Sequence, residues 1–164
     1  MAVIDVIDNF LPLYQFEQLQ SVMMGDNLPW FYNHLINYDI PKNGQYQFTH
    51  TFFHEKRNGI SSPYLNESWK FFEIKLKVNE WYRIKANLNP RTLFHRNGGY
   101  HIDYSNITTA VYYVNTTNGY TKFKKGGKVK SVANRIVIFD SNLKHAGMSC
   151  TDQPRRVVLN FNWK

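Results

Sequence analysis

The sequence predicts a mainly β domain, a sandwich or barrel, with helices banked on one side. Three observations carry this reading. Helical periodicity is confined to the first 80 residues. From Trp81 onward the apolar period falls to two. Turn-forming Asn, Gly and Pro pairs then punctuate the chain at short intervals. Two helices followed by a run of antiparallel strands favour that architecture over an alternating α/β one. The 164 residues suffice for one domain with a sizeable core and are too few for two comfortable ones. A single domain over 1–164 is therefore expected, with a supporting helix-and-strand region at 1–80 and a strand-rich core from about 81 to 164.

Taken in order, Val3 to Asp8 is rich in Val and Ile and suits a short strand. Pro12 fits the first turn of a helix, where its missing N–H costs nothing. Leu13, Phe16, Leu19 or Gln20, and Met23 recur at helical spacing, and Gly25 ends the pattern. Trp30 to Tyr32 and Tyr46 to His54 read as strands, separated by the turn-prone Pro41-Lys-Asn-Gly44. A second helix is expected from near Pro63, because Leu65, Trp69, Phe72 and Leu76 form one apolar stripe.

From Trp81, the residues Ile84, Ala86 and Leu88 alternate with Arg83, Lys85 and Asn87, the pattern of a half-buried strand that ends at Asn89-Pro90. A loop through Gly98-Gly99 leads to His101. Thr108 to Val114 is a strand; Asn118-Gly119 predicts a hairpin turn, and Lys125-Gly-Gly-Lys128 another. Arg135 to Phe139 carries a continuous apolar run, so both faces should be covered. Arg155 to Trp163 is the last strand.

The net charge of +8 favours an acidic partner, nucleic acid among the candidates. Lys122, Lys124, Lys125, Lys128 and Lys130 gather on one hairpin, either a solvated surface or a site for a polyanion. The lone Cys150 cannot form an internal disulfide, which argues for a reducing, cytoplasmic setting (the host cytoplasm if the gene is viral). Met1 to Asp8 lacks the basic region of a signal peptide, and no apolar run reaches bilayer length, so no membrane partner is expected.

The chemistry gathers around Tyr100-His-Ile-Asp103. On an extended segment His101 and Asp103 leave the same face, giving two thirds of the 2-His-1-carboxylate set that holds non-haem Fe(II). Alone, His-x-Asp is a weak signal. A distal histidine strengthens it, and His145 is the candidate, just beyond the buried strand. Arg155 and Arg156 follow ten and eleven residues later. Asp140 reads as a turn residue instead, and His34 and His95 have no evident partner. His50 and His54, at i and i+4, should share one strand face, as partly buried histidines near a cleft rather than a second metal pair.

The order His101-x-Asp103, His145, then Arg155-Arg156 resembles the Fe(II)/2-oxoglutarate-dependent oxygenases, most of all their prolyl 4-hydroxylase-like branch. Ala110-Val-Tyr-Tyr-Val-Asn115 is similar to that branch's Tyr-Tyr-Leu-Asn strand, whose second tyrosine, here Tyr113, often helps to hold 2-oxoglutarate. Asn134 to Phe139 resembles the strand leading to the distal histidine, and His145-Ala-Gly147 the family's His-x-Gly. The likeness spans about Tyr82 to Trp163, and over its whole length the chain resembles compact oxygenases of marine bacteriophages.

The resemblance implies a double-stranded β-helix (a cupin-like jelly roll) as the catalytic core. It also implies Fe(II) on His101, Asp103 and His145 as metal-binding and catalytic residues, with three coordination positions left for 2-oxoglutarate and O₂. Ascorbate is open as an accessory reductant. The implied activity is hydroxylation of a C–H bond with release of succinate and CO₂. Prolyl peptide, amino acid, nucleobase and small metabolite all stay open as substrates. Two alternatives are a jelly-roll metal dioxygenase that needs no 2-oxoglutarate and a non-catalytic basic binding module.

Strand parity separates the two arginines. Arg155, Val157, Leu159, Phe161 and Trp163 form an apolar row; Arg156, Val158, Asn160 and Asn162 form a row suited to a polar wall. Arg156, with Tyr113 and Asn160, is thus the expected cosubstrate-binding group.

Overall fold

The computed structural model describes residues 4–36, 44–57, 59, 62–64 and 68–164. Among these the chain forms, in order, β1 (Ile4–Ile7), α1 (Leu13–Met24), β2 (Phe31–Asn33), β3 (Gln47–His54), α2 (Ser68–Leu76), β4 (Trp81–Pro90), β5 (Thr108–Tyr113), β6 (Tyr120–Phe123), β7 (Lys128–Lys130), β8 (Arg135–Asp140), β9 (His145–Met148) and β10 (Arg155–Trp163). A seven-stranded sheet has the order β1-β8-β5-β10-β4-β3-β2, and a smaller one the order β7-β6-β9. Every pairing is antiparallel. This is the mainly β jelly roll with flanking helices that the sequence predicts. No described helix is long and apolar enough to cross a membrane.

The period-two patterns divide the large sheet into two faces. Its outer face carries Ile84, Ala86, Tyr112, Ile136, Leu159 and Phe161, which pack with Leu19 and Met23 of α1 and Trp69, Phe72 and Leu76 of α2. Its inner face meets the small sheet through Val111, Tyr113, Val137, Phe139 and Val158 against Phe123. The run Ile136 to Phe139 is therefore covered on both faces, as its composition requires. Arg155, at the end of the outer row, turns its guanidinium to the Met24 carbonyl and satisfies one of the open carbonyls at the end of α1.

Four local readings change. Pro12 stands just before α1 rather than inside its first turn, its extended ψ of 147° setting the entry. Pro63 and Tyr64 form a turn and α2 is described from Ser68, while Leu65 and Pro41–Asn43 lie outside the described residues. Asn118-Gly119 is not a hairpin turn: it belongs to the connection that carries the chain from β5 in the large sheet to β6 in the small one. Glycine is required at 119 for another reason. A Cβ there would lie 2.7 Å from Arg156 Cδ and 2.9 Å from the Met148 carbonyl oxygen.

His50 and His54 do not share a face. The register of β3 on β4 slips between Thr51 and Phe53, so His50 pairs with Ala86 of the outer row and His54 with Arg83 of the inner row. One extra residue reverses a period-two pattern. His50 is buried between the Pro29 carbonyl and the Ser62 hydroxyl, at 2.7 Å from each, as a structural histidine. The Lys125-Gly-Gly-Lys128 hairpin forms as expected between β6 and β7, and its five lysines are exposed.

Phe72 is fully buried, its ring within 4.6–5.8 Å of Phe10, Trp69, Tyr112 and Phe161. Replacing it by Ala should cost about 3–5 kcal/mol by loss of transfer energy plus a residual cavity. Urea unfolding should show the midpoint falling with an unchanged slope.

Candidate metal centre

The approach to His101 runs antiparallel to β9. Gly98 N–H donates to the Gly147 carbonyl at 2.9 Å, and His101 and His145 exchange backbone hydrogen bonds of 3.0 Å in both directions. Gly98 permits this approach, because a Cβ would sit 2.8 Å from Ile36 Cγ2 and 3.2 Å from the Gly147 oxygen. The two histidines, 44 positions apart in sequence, thereby become direct cross-strand neighbours with ring centroids 4.7 Å apart.

Asp103, two residues on, is drawn toward the large sheet. Arg83 Nη2 lies 2.9 Å from its Oδ1, and Asn162 Nδ2 donates to its Oδ2 at 3.3 Å. His101 Nε2 is 3.7 Å from Oδ1 and His145 Nε2 4.0 Å from Oδ2, and the ligand atoms of the three residues all lie within 4.8 Å of one another.

The tautomers suit a metal. His101 Nδ1–H donates to the Gly99 carbonyl and His145 Nδ1–H to the Leu143 carbonyl, both at 3.0 Å. Each Nε2 is left with a bare lone pair, aimed toward the same carboxylate. Burial alone would push the Asp103 carboxyl up. Arg83, then the two histidines and the Asn162 amide, outweigh burial and hold it well below the usual carboxylate range. His145 goes the other way: burial lowers its pKa, with Asp103 opposing and His101 adding to the depression. Two neutral imidazoles and an ionised carboxylate are the donor set of a divalent transition metal.

The triad opens on a cavity of about 310 Å³ whose far wall is the inner face of β4 and β10. Their register arranges that wall in rows: Arg83 beside Asn162, Lys85 beside Asn160, Asn87 beside Val158, and Asn89 beside Arg156. Arg156 is buried at 2% exposure, donating from Nε to Ser131 Oγ at 2.7 Å and from Nη2 to Thr121 Oγ1 at 3.4 Å. Among the described residues no carboxylate pairs with it, and burial lowers its pKa. Asn160 lines the cavity, whereas Tyr113 stands behind it. The Tyr113 ring lies 5.6 Å from the guanidinium and its hydroxyl donates to Thr121 at 2.8 Å.

The sequence reading brings His101, Asp103, His145, Arg156 and Asn160 to this one cavity. It passes over Arg83, Lys85, Asn87 and Asn89, whose polar alternation reads equally well as a solvent face. The signal that finds them is the pairing of β4 with β10: both polar rows must then face the same way.

Because the folded-state pKa of His145 lies below that of the unfolded chain, the unfolded chain binds more protons as pH falls below about 6.5. The metal-free protein should therefore lose stability from pH 7 to pH 5. His145→Asn should flatten that slope in melting temperatures measured across the range.

No family model matches the chain, and no curated protein matches it. Solved structures do. A prolyl 4-hydroxylase from Pseudomonas putida aligns over 100% of this chain and 93% of its own, at 14% identity and a TM-score of 0.63. A 2-oxoglutarate–Fe(II) oxygenase family oxidoreductase from Burkholderia pseudomallei aligns over 99% and 84%, at 8% identity and a TM-score of 0.65. HygX from Streptomyces hygroscopicus, solved with nickel and 2-oxoglutarate bound, aligns over 99% and 82%, at 10% identity and a TM-score of 0.61. The chain has the fold of the prolyl 4-hydroxylase-like 2-oxoglutarate–Fe(II) oxygenases.

Proposed function

We propose that the protein is an Fe(II)- and 2-oxoglutarate-dependent dioxygenase that hydroxylates a C–H bond. One observation carries this furthest. A buried guanidinium without an acidic partner among the described residues shares a small cavity with two tautomer-locked histidines and a carboxylate. A buried unpaired cation is costly, and a carboxylate that enters the cavity relieves that cost. A metal dioxygenase that needs no 2-oxoglutarate has no use for Arg156, and a binding module has none for the locked imidazoles.

His101, His145 and Asp103 would hold the iron, which with 2-oxoglutarate and O₂ supplies the oxidising power, releasing succinate and CO₂. Arg156 fixes the far carboxylate of 2-oxoglutarate, braced by Ser131 and Thr121, with the Tyr113 hydroxyl orienting Thr121 from behind. Gly119 and Gly147 keep the guanidinium's surroundings clear of side chains. Arg83 and Asn162 hold the Asp103 carboxylate in place.

Asp103→Ala should abolish Fe(II)-dependent succinate formation and the visible Fe(II)–2-oxoglutarate charge-transfer band in anaerobic titration. Wild-type turnover in that variant would overturn the triad. Arg156→Ala should raise the apparent KM for 2-oxoglutarate tenfold or more, in line with the ~1.5–3 kcal/mol of a charged hydrogen bond. Arg155→Ala, at a residue whose guanidinium donates to the Met24 carbonyl at the end of α1, should leave that KM nearly unchanged; the reverse pattern would refute the assignment.

A further inference from the structure

The cavity carries more positive charge than the proposed chemistry uses. Four cationic side chains line it, Arg83, Lys85, Arg96 and Arg156, against the single carboxylate of Asp103. A divalent metal and a doubly charged 2-oxoglutarate cancel each other, so filling the site with both leaves the surplus as it was. Arg83 is committed to Asp103 and Asn162, and Arg156 is the group facing the far carboxylate. The other carboxylate of 2-oxoglutarate would be taken by the metal. Lys85 and Arg96 are left over.

Lys85 lies one row from the Arg83–Asn162 pair that holds Asp103, half-buried, beside Asn160. Among the described residues it has no hydrogen bond and no ion pair. Burial and Arg83 lower its pKa to about 8, with Asp103 partly opposing, so it is a cation at neutral pH. Arg96 is exposed and stands at the same cavity. In the next row Asn87 Oδ1 is a buried acceptor without a donor among the described residues. A half-buried cation and a buried acceptor, both unmatched among the described residues and adjacent along one strand face, define a complementary ligand: an anionic group with a hydrogen-bond donor a few ångströms away.

We propose, resting on the oxygenase reading, that the primary substrate is a small carboxylic acid. Its carboxylate is received by Lys85, with Arg96 at the mouth, and a neighbouring N–H or O–H of the same molecule donates to Asn87. The modest cavity volume suits a free small molecule of this kind beside the cosubstrate.

The test uses the full chain loaded with Ni(II) and 2-oxoglutarate, which binds without turning over. The proteinogenic L-amino acids, lactate and benzoate are each compared with their own carboxamide, and N-acetylproline amide serves as a neutral prolyl probe. Thermal shift and calorimetry are the readouts. At least one acid should bind tenfold or more tightly than its amide. That preference should vanish in Lys85→Met and return in Lys85→Arg, while 2-oxoglutarate affinity stays within threefold of wild type. Three results overturn the proposal: no acid preferred over its amide, tighter binding of N-acetylproline amide than of any acid, or a tenfold loss of 2-oxoglutarate affinity in Lys85→Met. The last would assign Lys85 to the cosubstrate. Failure of the wild-type protein to take up Ni(II) and 2-oxoglutarate at all would instead remove the oxygenase reading beneath it.

Discussion

The site depends on the register in which β10 lies between β4 and β5. In that register Val157, Leu159, Phe161 and Trp163 meet the helices, while Arg156, Val158, Asn160 and Asn162 face inward. A slip of one residue would drive the Arg156 guanidinium into the aromatic layer and turn Phe161 into the cavity. Both halves of that exchange are expensive, a charge desolvated without a partner and a large ring exposed to polar surroundings. The apolar row therefore fixes not only the fold but the position of every polar group opposite the histidines.

Against this wall the two histidines of the candidate metal site are placed by backbone hydrogen bonds. The paired hydrogen bonds of His101 with His145 set their spacing, and carbonyls two residues away set their ring orientation. Asp103 is positioned from across the cavity by Arg83 and Asn162. The carboxylate is thus shared between the sheets: its chain belongs with His101 on one side, and its oxygens are tethered to β4 and β10 on the other. Removing Arg83 would release one of the two tethers and the largest of the influences that keep Asp103 ionised.

How much of this was legible in the sequence follows from what each signal encodes. Periodicity reports which face of an element is apolar, so the strands of the large sheet, both helices and the separate orientations of Arg155 and Arg156 could be read directly, while the short strand at His145–Met148 was not. It does not report what the polar face meets, so Arg83, Lys85, Asn87 and Asn89 passed as solvent residues. It also assumes an unbroken count, and the bulge in β3 put His50 and His54 on opposite faces with no local signature. Gly119 looked like a turn glycine because its true constraint, the Arg156 side chain, comes 37 positions later. The order of His101, Asp103, His145 and Arg156 was visible; that the histidines exchange backbone bonds was not, since pairing of distant segments has no sequence period.

The uneven burial of the positive groups separates arrival from residence. Arg96 is exposed at the mouth on a chain of net charge +8, so it acts on anions while they are still in solvent. There the Debye length of about 10 Å at 0.1 M salt limits its reach. Arg156, at 2% exposure, is shielded from bulk solvent. Raising ionic strength thus slows the encounter of an anion with the cavity and leaves its escape almost untouched. If the cavity receives an acid, salt would change its affinity through association rather than escape, because the seated anion would be held by contacts that the surrounding electrolyte does not weaken.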